Sequence, residues 1–196
     1  MKLSLSMLAL AGALSFTLIT SIPAQAQELV TNGGFETGDL TGFTSGGGNI
    51  VSATSAYVHS GTYGLAYISI GVDSPLSQTL ATTPGDTETI TFWQHQLVGR
   101  NIQNEVTLDF GGVRLLTLTN IPLGPWTEYT ATAVATSNST VLALGLREDI
   151  NGDGIDDISV IQSVPAASTP EPGAYALLAS LGLTGAAFLR RKKFRG

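Results

Sequence analysis

The densest group of side chains capable of chemistry in this 196-residue sequence is an acidic run near residue 150. From Asp149 to Asp157 it reads Asp-Ile-Asn-Gly-Asp-Gly-Ile-Asp-Asp, which fits the pattern D-x-N-x-D-G-x-x-D. Oxygen ligands at alternate positions of a tight turn can converge on one Ca²⁺, and a glycine at the sixth place permits the bend. Acidic groups this close repel one another unless a cation screens them. The run therefore predicts a calcium-binding turn, with an ion-free acidic turn as the alternative.

The alternate positions of this run give the expected ligands of the predicted calcium site. We expect side-chain oxygens from Asp149, Asn151 and Asp153, the backbone carbonyl of Ile155, and a closing carboxylate from Asp157. The twelfth place holds Val160 where an EF-hand has a bidentate glutamate, and no helix is predicted on either side. An EF-hand is thereby excluded, and calcium is expected as a structural cofactor.

Catalytic groups are scarce by comparison. The sequence has no cysteine, which excludes disulfides and thiol catalysis, and it has only two histidines, His59 and His95. No Gly-x-Ser-x-Gly elbow is present to hold a nucleophile. We therefore predict that the protein is not an enzyme, and keep a glycan-active enzyme with paired carboxylates as the lesser alternative.

Aromatic side chains could instead bind a sugar, because pyranose rings present apolar C–H faces. Trp126 follows a proline at a strand entrance and is expected to be exposed, whereas Trp93 lies inside a strand and fits a buried position at least as well. Tyrosines at strand ends are commonly half-buried at the edge of a core. The candidate platform residues are Trp126, Trp93, Tyr57, Tyr63 and Tyr67.

Charge is distributed unevenly along the chain. Residues 27–169 hold fourteen acidic and three basic side chains, a net charge of −11. Nucleic acid and anionic lipid both require a basic footprint, so they are poor partners for this stretch. Cations and neutral polymers remain suitable partners.

The N-terminus has the composition of a secretory signal peptide. Residues 1–26 combine Lys2, an apolar run, a proline and the small-residue sequence Ala24-Gln25-Ala26 before a cleavage point. We expect signal peptidase to produce a chain that begins at Gln27; an uncleaved membrane helix is the alternative.

The C-terminus has three parts. A Pro-rich linker over 165–173 contains Pro170, Glu171 and Pro172, an uncharged stretch covers 174–189, and a basic tail covers 190–196. A helix of sixteen residues rises about 24 Å, less than the roughly 30 Å hydrocarbon core. We predict a short transmembrane helix with its basic tail in the cytoplasm and the domain on the other side.

This terminal arrangement resembles the PEP-CTERM sorting signal of Gram-negative bacteria. The resemblance implies recognition of Pro170-Glu171-Pro172 by an exosortase-type membrane protease. It also implies export through a precursor transiently anchored in the inner membrane, followed by a location at the cell surface or outside the cell. A plain tail anchor is the alternative.

Residues 27–164 are predicted to form one all-β domain. No stretch keeps a 3.6-residue apolar period, and short runs rich in β-branched residues recur between turn clusters. Gly111-Gly112 predicts a two-residue hairpin. The expected architecture is a single antiparallel β-sandwich, a jelly roll. Its predicted strands are Gly64–Ile70, Leu76–Thr82, Glu88–Leu97, Glu105–Phe110, Val113–Thr119, Trp126–Ala135, Val141–Leu146 and Asp157–Gln162.

The same region resembles the jelly-roll carbohydrate-binding modules. The opening Asn32-Gly33-Gly34-Phe35-Glu36 and the Asp156-Asp157-Ile158-Ser159-Val160 segment carry the likeness, in the expected order. In that family a structural calcium joins the Phe-Glu segment to the Asp-Asp pair. The resemblance thus implies a second calcium site, made by Glu36 with Asp156 or Asp157, that competes with the first for Asp157.

Three functions follow from these observations. The first is a non-enzymatic, calcium-stabilised protein of the cell surface or extracellular matrix, released by an exosortase-type protease. The alternative is a carbohydrate-binding module that recognises exopolysaccharide. The lesser alternative is the glycan-active enzyme.

Overall fold

The computed structural model describes residues 26–46, 50–97 and 103–163. Within these ranges the chain forms β-strands and no helix. The strands are β1 (Gln27–Glu28), β2 (Thr44–Ser45), β3 (Ile50–Thr54), β4 (Gly64–Ala81), β5 (Thr87–His95), β6 (Asn104–Phe110), β7 (Val113–Thr119), β8 (Thr127–Val134) and β9 (Ser139–Ser163). Residues 1–25, the Pro170-Glu171-Pro172 motif, the apolar segment 174–189 and the basic tail lie outside the described residues.

Strand pairing arranges these elements in two layers. The first sheet contains β3, residues 64–69 of β4, residues 153–163 of β9, β5 and β8, with β1 beside the end of β9. The second sheet contains β2, residues 74–81 of β4, residues 139–148 of β9, β6 and β7. All pairs are antiparallel, and the all-β sandwich predicted from the sequence is confirmed.

Apolar side chains fill the space between the layers, where their removal from water is worth roughly 1.5–3 kcal/mol each. In β5 every second residue is buried, so that Ile90 and Phe92 face the core while Trp93 and His95 lie on the outer face. β8 alternates in the same way. The core also includes Leu65, Leu76, Leu80, Val106, Leu108, Leu142, Leu144, Leu146, Ile155 and Val160.

Two of the predicted breaks between strands are absent. Gly64–Ile70 and Leu76–Thr82 fall almost wholly within one strand, β4, because the residues between them form a register shift that carries the strand from one sheet to the other. Val141–Leu146 and Asp157–Gln162 are likewise parts of β9. The pairing of β4 with β9 skips residues 70–73 and resumes at Ser74 and Leu146, an irregularity that local turn residues do not reveal.

The Gly111-Gly112 hairpin is confirmed. Both glycines have positive φ angles, 59° and 79°, between the paired ends of β6 and β7. A two-residue turn with positive φ at both positions matches the right-handed twist of the flanking strands. A helix long and apolar enough to cross a membrane does not occur among residues 26–46, 50–97 and 103–163.

Candidate functional site

Five aromatic rings meet on the outer face of the first sheet. Trp93 and His95 come from the outward positions of β5, Trp126 immediately precedes β8, and Tyr57 and His59 come from the connection between β3 and β4. All five side chains are half-buried. These five residues are called the aromatic cluster below.

The rings of the cluster contact one another in two stacked pairs. The centroids of His59 and Trp93 are 3.8 Å apart with 14° between the ring planes. Those of His95 and Trp126 are 5.1 Å apart with 22° between the planes. The two pairs meet where His59 and Trp126 lie 5.6 Å apart at 60°. Because stacked rings restrict each other's rotamers, the cluster presents a preformed aromatic surface.

Hydrogen bonds to two carboxylates fix the position of His59. Its Nδ1 lies 2.7 Å from Oδ2 of Asp157, and its backbone N–H donates to Oδ2 of Asp156 at 2.7 Å. The hydroxyl of Ser60 donates to Oδ1 of Asp157 at 2.8 Å. Asp157 has a φ of 49°, a conformation that non-glycine residues adopt rarely and that often marks functional sites. The second ring nitrogen of His59 takes no part in these bonds.

Small residues in β9 make room for the cluster. A Cβ atom on Gly154 would lie 2.8 Å from Cη2 of Trp126 and 3.2 Å from Cβ of Tyr57. The hydroxyl of Tyr57 donates to the carbonyl of Gly152 at 3.1 Å. Desolvation by burial lowers the pKa of His95, which favours the neutral imidazole in its stack with Trp126. The surface therefore combines apolar ring faces with polar edges, which include the carboxylate of Asp157.

The sequence located only part of this cluster. Its candidates Trp93, Trp126 and Tyr57 are brought together, and Trp93 lies on the outer face, although the sequence favoured a buried position at least as strongly. Tyr67 as a sugar platform is wrong, because its side chain is completely buried between the sheets. The histidines were missed, although the i, i+2 spacing of Trp93 and His95 in a strand places both on one face.

The acidic run is not a turn, so that part of the first calcium prediction is wrong. Residues 149–157 belong to β9, where Tyr67 pairs with Asp153 and Trp93 pairs with Asp156. The carboxylates have different partners as a result. Asp149 accepts hydrogen bonds from Arg147 and from the backbone N–H of Gly71, interactions that lower its pKa.

The remaining ligands of that prediction are also separated. Asp153 is buried between the sheets, whereas Asp157 contacts His59 and Ser60. Nothing is described for the side chain of Asn151, and Ile155 belongs to the core. The sheet pairing thus assigns the predicted ligands to different environments.

The second predicted calcium site is better assembled. A Cβ atom on Gly34 would lie 3.3 Å from Oδ1 of Asp157, 3.9 Å from Oδ1 of Asp156 and 3.7 Å from Cγ of Glu36. Oε1 of Glu36 accepts hydrogen bonds from the backbone N–H groups of Thr62 and Tyr63, both at 2.9 Å. Among the described residues no group of three or more His, Cys, Asp or Glu has an arrangement suited to a metal ion. Calcium therefore stays a prediction.

A buried carboxyl pair lies inside the sandwich, and it includes Asp153, which the sequence predicted as a calcium ligand. Glu148 and Asp153 are both fully buried and share a side-chain hydrogen bond. Gln96 donates to Oε2 of Glu148 at 3.1 Å, and the backbone N–H of Leu97 donates to Oδ1 of Asp153 at 3.0 Å. Burial is the main cause that raises the pKa of Asp153, to about 8. The pair therefore retains a proton at neutral pH.

A groove in the described residues lies away from the aromatic cluster. It encloses about 760 Å³ between the β6–β7 turn and the β8–β9 connection. Asp109 and Arg114, which form an ion pair, line it together with Ser137, Thr140 and Val141. The residues that line this groove include no aromatic side chain, so it offers no stacking surface.

Comparison with known proteins identifies the fold. No protein-family model matches the sequence, and no curated protein does. Among solved structures, TmCBM61 in complex with β-1,4-galactotriose is 19% identical, with a TM-score of 0.55 over 70% of this chain and 99% of that one. The CBM22-2 xylan-binding domain from Paenibacillus barcinonensis Xyn10C is 15% identical, with a TM-score of 0.51 over 74% and 100%.

A phage protein is also similar. The enzymatically active domain of bacteriophage CBA120 tailspike protein 4 is 14% identical, with a TM-score of 0.52 over 69% of this chain and 21% of that one. At such identities the likeness concerns the fold alone. The chain has the jelly-roll-like β fold of the carbohydrate-binding modules, and the resemblance predicted from its sequence is confirmed at that level.

Proposed function

We propose that this protein is a non-catalytic carbohydrate-binding module. The observation that carries the proposal is the aromatic cluster, in which stacked, half-exposed rings are held on a rigid sheet face. Such rings bury large apolar areas at low entropic cost and suit the C–H faces of pyranose rings. The fold shared with modules that bind galactotriose and xylan supports the same function.

We favour this function over the non-enzymatic surface or matrix protein that the sequence analysis placed first. A glycan-active enzyme is less favoured, because burial keeps the carboxyl pair Glu148 and Asp153 away from any ligand. The direct experiment is affinity electrophoresis of the purified protein in gels that contain β-1,4-galactan, xylan or hydroxyethylcellulose. Retardation by at least one polymer is expected, and free migration in an extended panel of neutral glycans would refute the function.

We also propose that the module acts outside the cell. The support comes from the sequence, whose ends resemble a signal peptide and a PEP-CTERM signal, so that exopolysaccharide is the natural ligand class. The intact mass of protein recovered outside the producing cells is expected to correspond to a chain that begins at Gln27 and lacks the basic tail. A recovered mass that includes Phe188 through Gly196 would contradict processing at the C-terminus.

We propose calcium as a stabilising ion bound by Glu36 with Asp156 or Asp157. Burial is the main cause that raises the pKa of Asp156; three backbone N–H groups that donate to it lower the pKa, and the neighbouring charge of Asp157 raises it further. A cation would relieve this, and an ion that binds only the folded state raises the melting temperature.

Millimolar CaCl₂ is therefore expected to raise the melting temperature by a few degrees, measured by calorimetry against an EDTA-treated sample. Glu36→Gln is expected to remove most of the shift. Asp149→Asn is the matched control, because Asp149 is already paired with Arg147, and it should leave the shift intact. Loss of the shift in Asp149→Asn alone would contradict the assignment of the ion to Glu36 with Asp156 or Asp157.

A further inference from the structure

We infer that the outer face of β5 and β8 continues the aromatic cluster as a binding surface for an extended, uncharged glycan chain. The surface consists of hydroxyl side chains and is called the hydroxyl face. Its members are Thr87, Thr89, Thr91, Thr130, Thr132 and Ser159. The inference rests on the proposed function and adds the substrate class and the direction in which the chain lies.

Strand register arranges these hydroxyls in rows. Thr91 pairs with Thr130 on one side and with Ser159 on the other, and Thr89 pairs with Thr132. Because Ile90 and Phe92 point into the core, the threonines between them point outward. In β8 the inward positions are Tyr129, Ala131 and Ala133, which leaves its threonines on the same outer face.

The hydroxyl face begins at the aromatic cluster and runs along the strands. Trp93 is the outward residue that follows Thr91 in β5, and Trp126 directly precedes β8. From Trp93 to Thr87 the strand extends six residues, about 20 Å at roughly 3.4 Å per residue. A single sugar on the cluster would leave this length uncovered, whereas a chain of several linked rings would cover it.

The five threonine hydroxyls of the face are free to bind. The hydroxyl of Ser159 donates to Glu28. The side chains of the five threonines form no hydrogen bond with any described residue. A hydroxyl can both donate and accept, as can the hydroxyls of a sugar. β-Branched threonine has restricted χ1 rotamers, so little side-chain entropy is lost on binding.

Charge on this face favours a neutral ligand. Arg114 and Arg147, the basic residues of the described ranges, both lie in strands of the second sheet. The charged groups at the hydroxyl face are acidic: Glu128, which pairs with Trp93, and Glu28, which contacts Ser159. An anionic glycan would be repelled by these two carboxylates, whereas an uncharged glycan would not.

The experiment compares chain length and charge in one titration series. Cello-, xylo- and β-1,4-galacto-oligosaccharides of two to six units are titrated into the full-length purified protein by calorimetry, beside polygalacturonate as the anionic polymer. The test variant is Thr130→Glu with Thr132→Glu, two exposed positions in the edge strand of the first sheet. The matched control is Thr117→Glu with Thr119→Glu, two exposed positions in the edge strand of the second sheet.

In at least one neutral series the hexamer is expected to bind about tenfold or more tightly than the dimer, and polygalacturonate is expected not to bind. The test variant should lose most of that tenfold gain while it retains its affinity for the dimer, and the control should behave as the parent protein. Equal affinity for dimer and hexamer, an unchanged test variant, or tight binding of polygalacturonate would overturn the inference and leave the sugar-binding cluster standing. Failure of every neutral glycan to bind would refute the proposed function as well.

Discussion

Trp126→Ala is expected to reduce glycan affinity by at least tenfold and to remove retardation of the protein in the polymer gels that retard the parent. Trp126 stacks on His95 and borders His59, so its removal opens the centre of the aromatic cluster. Truncation of a tryptophan at the centre of a binding surface commonly costs 2 kcal/mol or more, and each 1.4 kcal/mol is a factor of ten. Affinity electrophoresis and calorimetric titration measure the loss.

Leu123→Ala is the matched control for this experiment. Leu123 lies in the same connection before β8 and is 62% exposed, but it is not one of the stacked rings. The control should bind as the parent does. Trp126→Phe should retain part of the affinity, because it keeps a smaller ring at the same place. Undiminished binding by a folded Trp126→Ala protein would show that the cluster is not the site.

Asp153→Asn is expected to stabilise the protein at alkaline pH and to change little near pH 4. The folded-state pKa of Asp153 is raised to about 8 by burial and by the bond to Glu148, whereas its ordinary value is 3.8. Below pH 4 the carboxyl is protonated in both the folded and the unfolded chain. As the pH rises toward 8 the unfolded chain releases this proton and the folded chain keeps it, so the free energy of unfolding falls.

Asparagine removes this dependence because it does not ionise, and its amide can donate to Glu148 in place of the acid proton. We expect the melting temperature of the variant at pH 8 to exceed that of the parent by roughly 5 °C or more. Thermal unfolding followed by circular dichroism at pH 4, 6 and 8 measures the difference.

Asp149→Asn provides a control of opposite sign. In the parent protein, hydrogen bonds from Arg147 and Gly71 lower the pKa of Asp149. The ionised carboxylate therefore stabilises the folded state above the pKa of the unfolded chain, and this contribution is lost as the pH falls. The variant should therefore melt below the parent at pH 8. A melting curve of Asp153→Asn that followed the parent at every pH would show that no proton is held by the buried pair.

Local patterns were enough to predict most strands. Alternation in β5, β6 and β8 depends only on which side of one strand meets the core, and such information lies within a few residues of sequence. The Gly111-Gly112 hairpin has the same local origin. β1 to β3 were missed, because strands of two to five residues are too short to show a period.

The acidic run shows the limit of local patterns. Its spacing fits a calcium turn, but pairing with β4 and β5 draws it into a strand and gives each carboxylate a different partner. One of these, Asp153, is buried beside Glu148, and its raised pKa keeps a proton on the pair at neutral pH. No property of the nine residues alone predicts that change, because it depends on neighbours more than 50 positions away, such as Gln96.

The sequence by itself determined that this chain is an all-β sandwich with an acidic body, since strand alternation and charge are properties of short segments. Only the tertiary structure decided that Tyr57 and His59 lie beside Trp93, His95 and Trp126, and that the threonines of two strands form one face. A loop, a strand and a strand entrance from distant parts of the chain meet there. Their meeting is set by sheet register and by the space that Gly154 leaves, which are properties of the folded molecule.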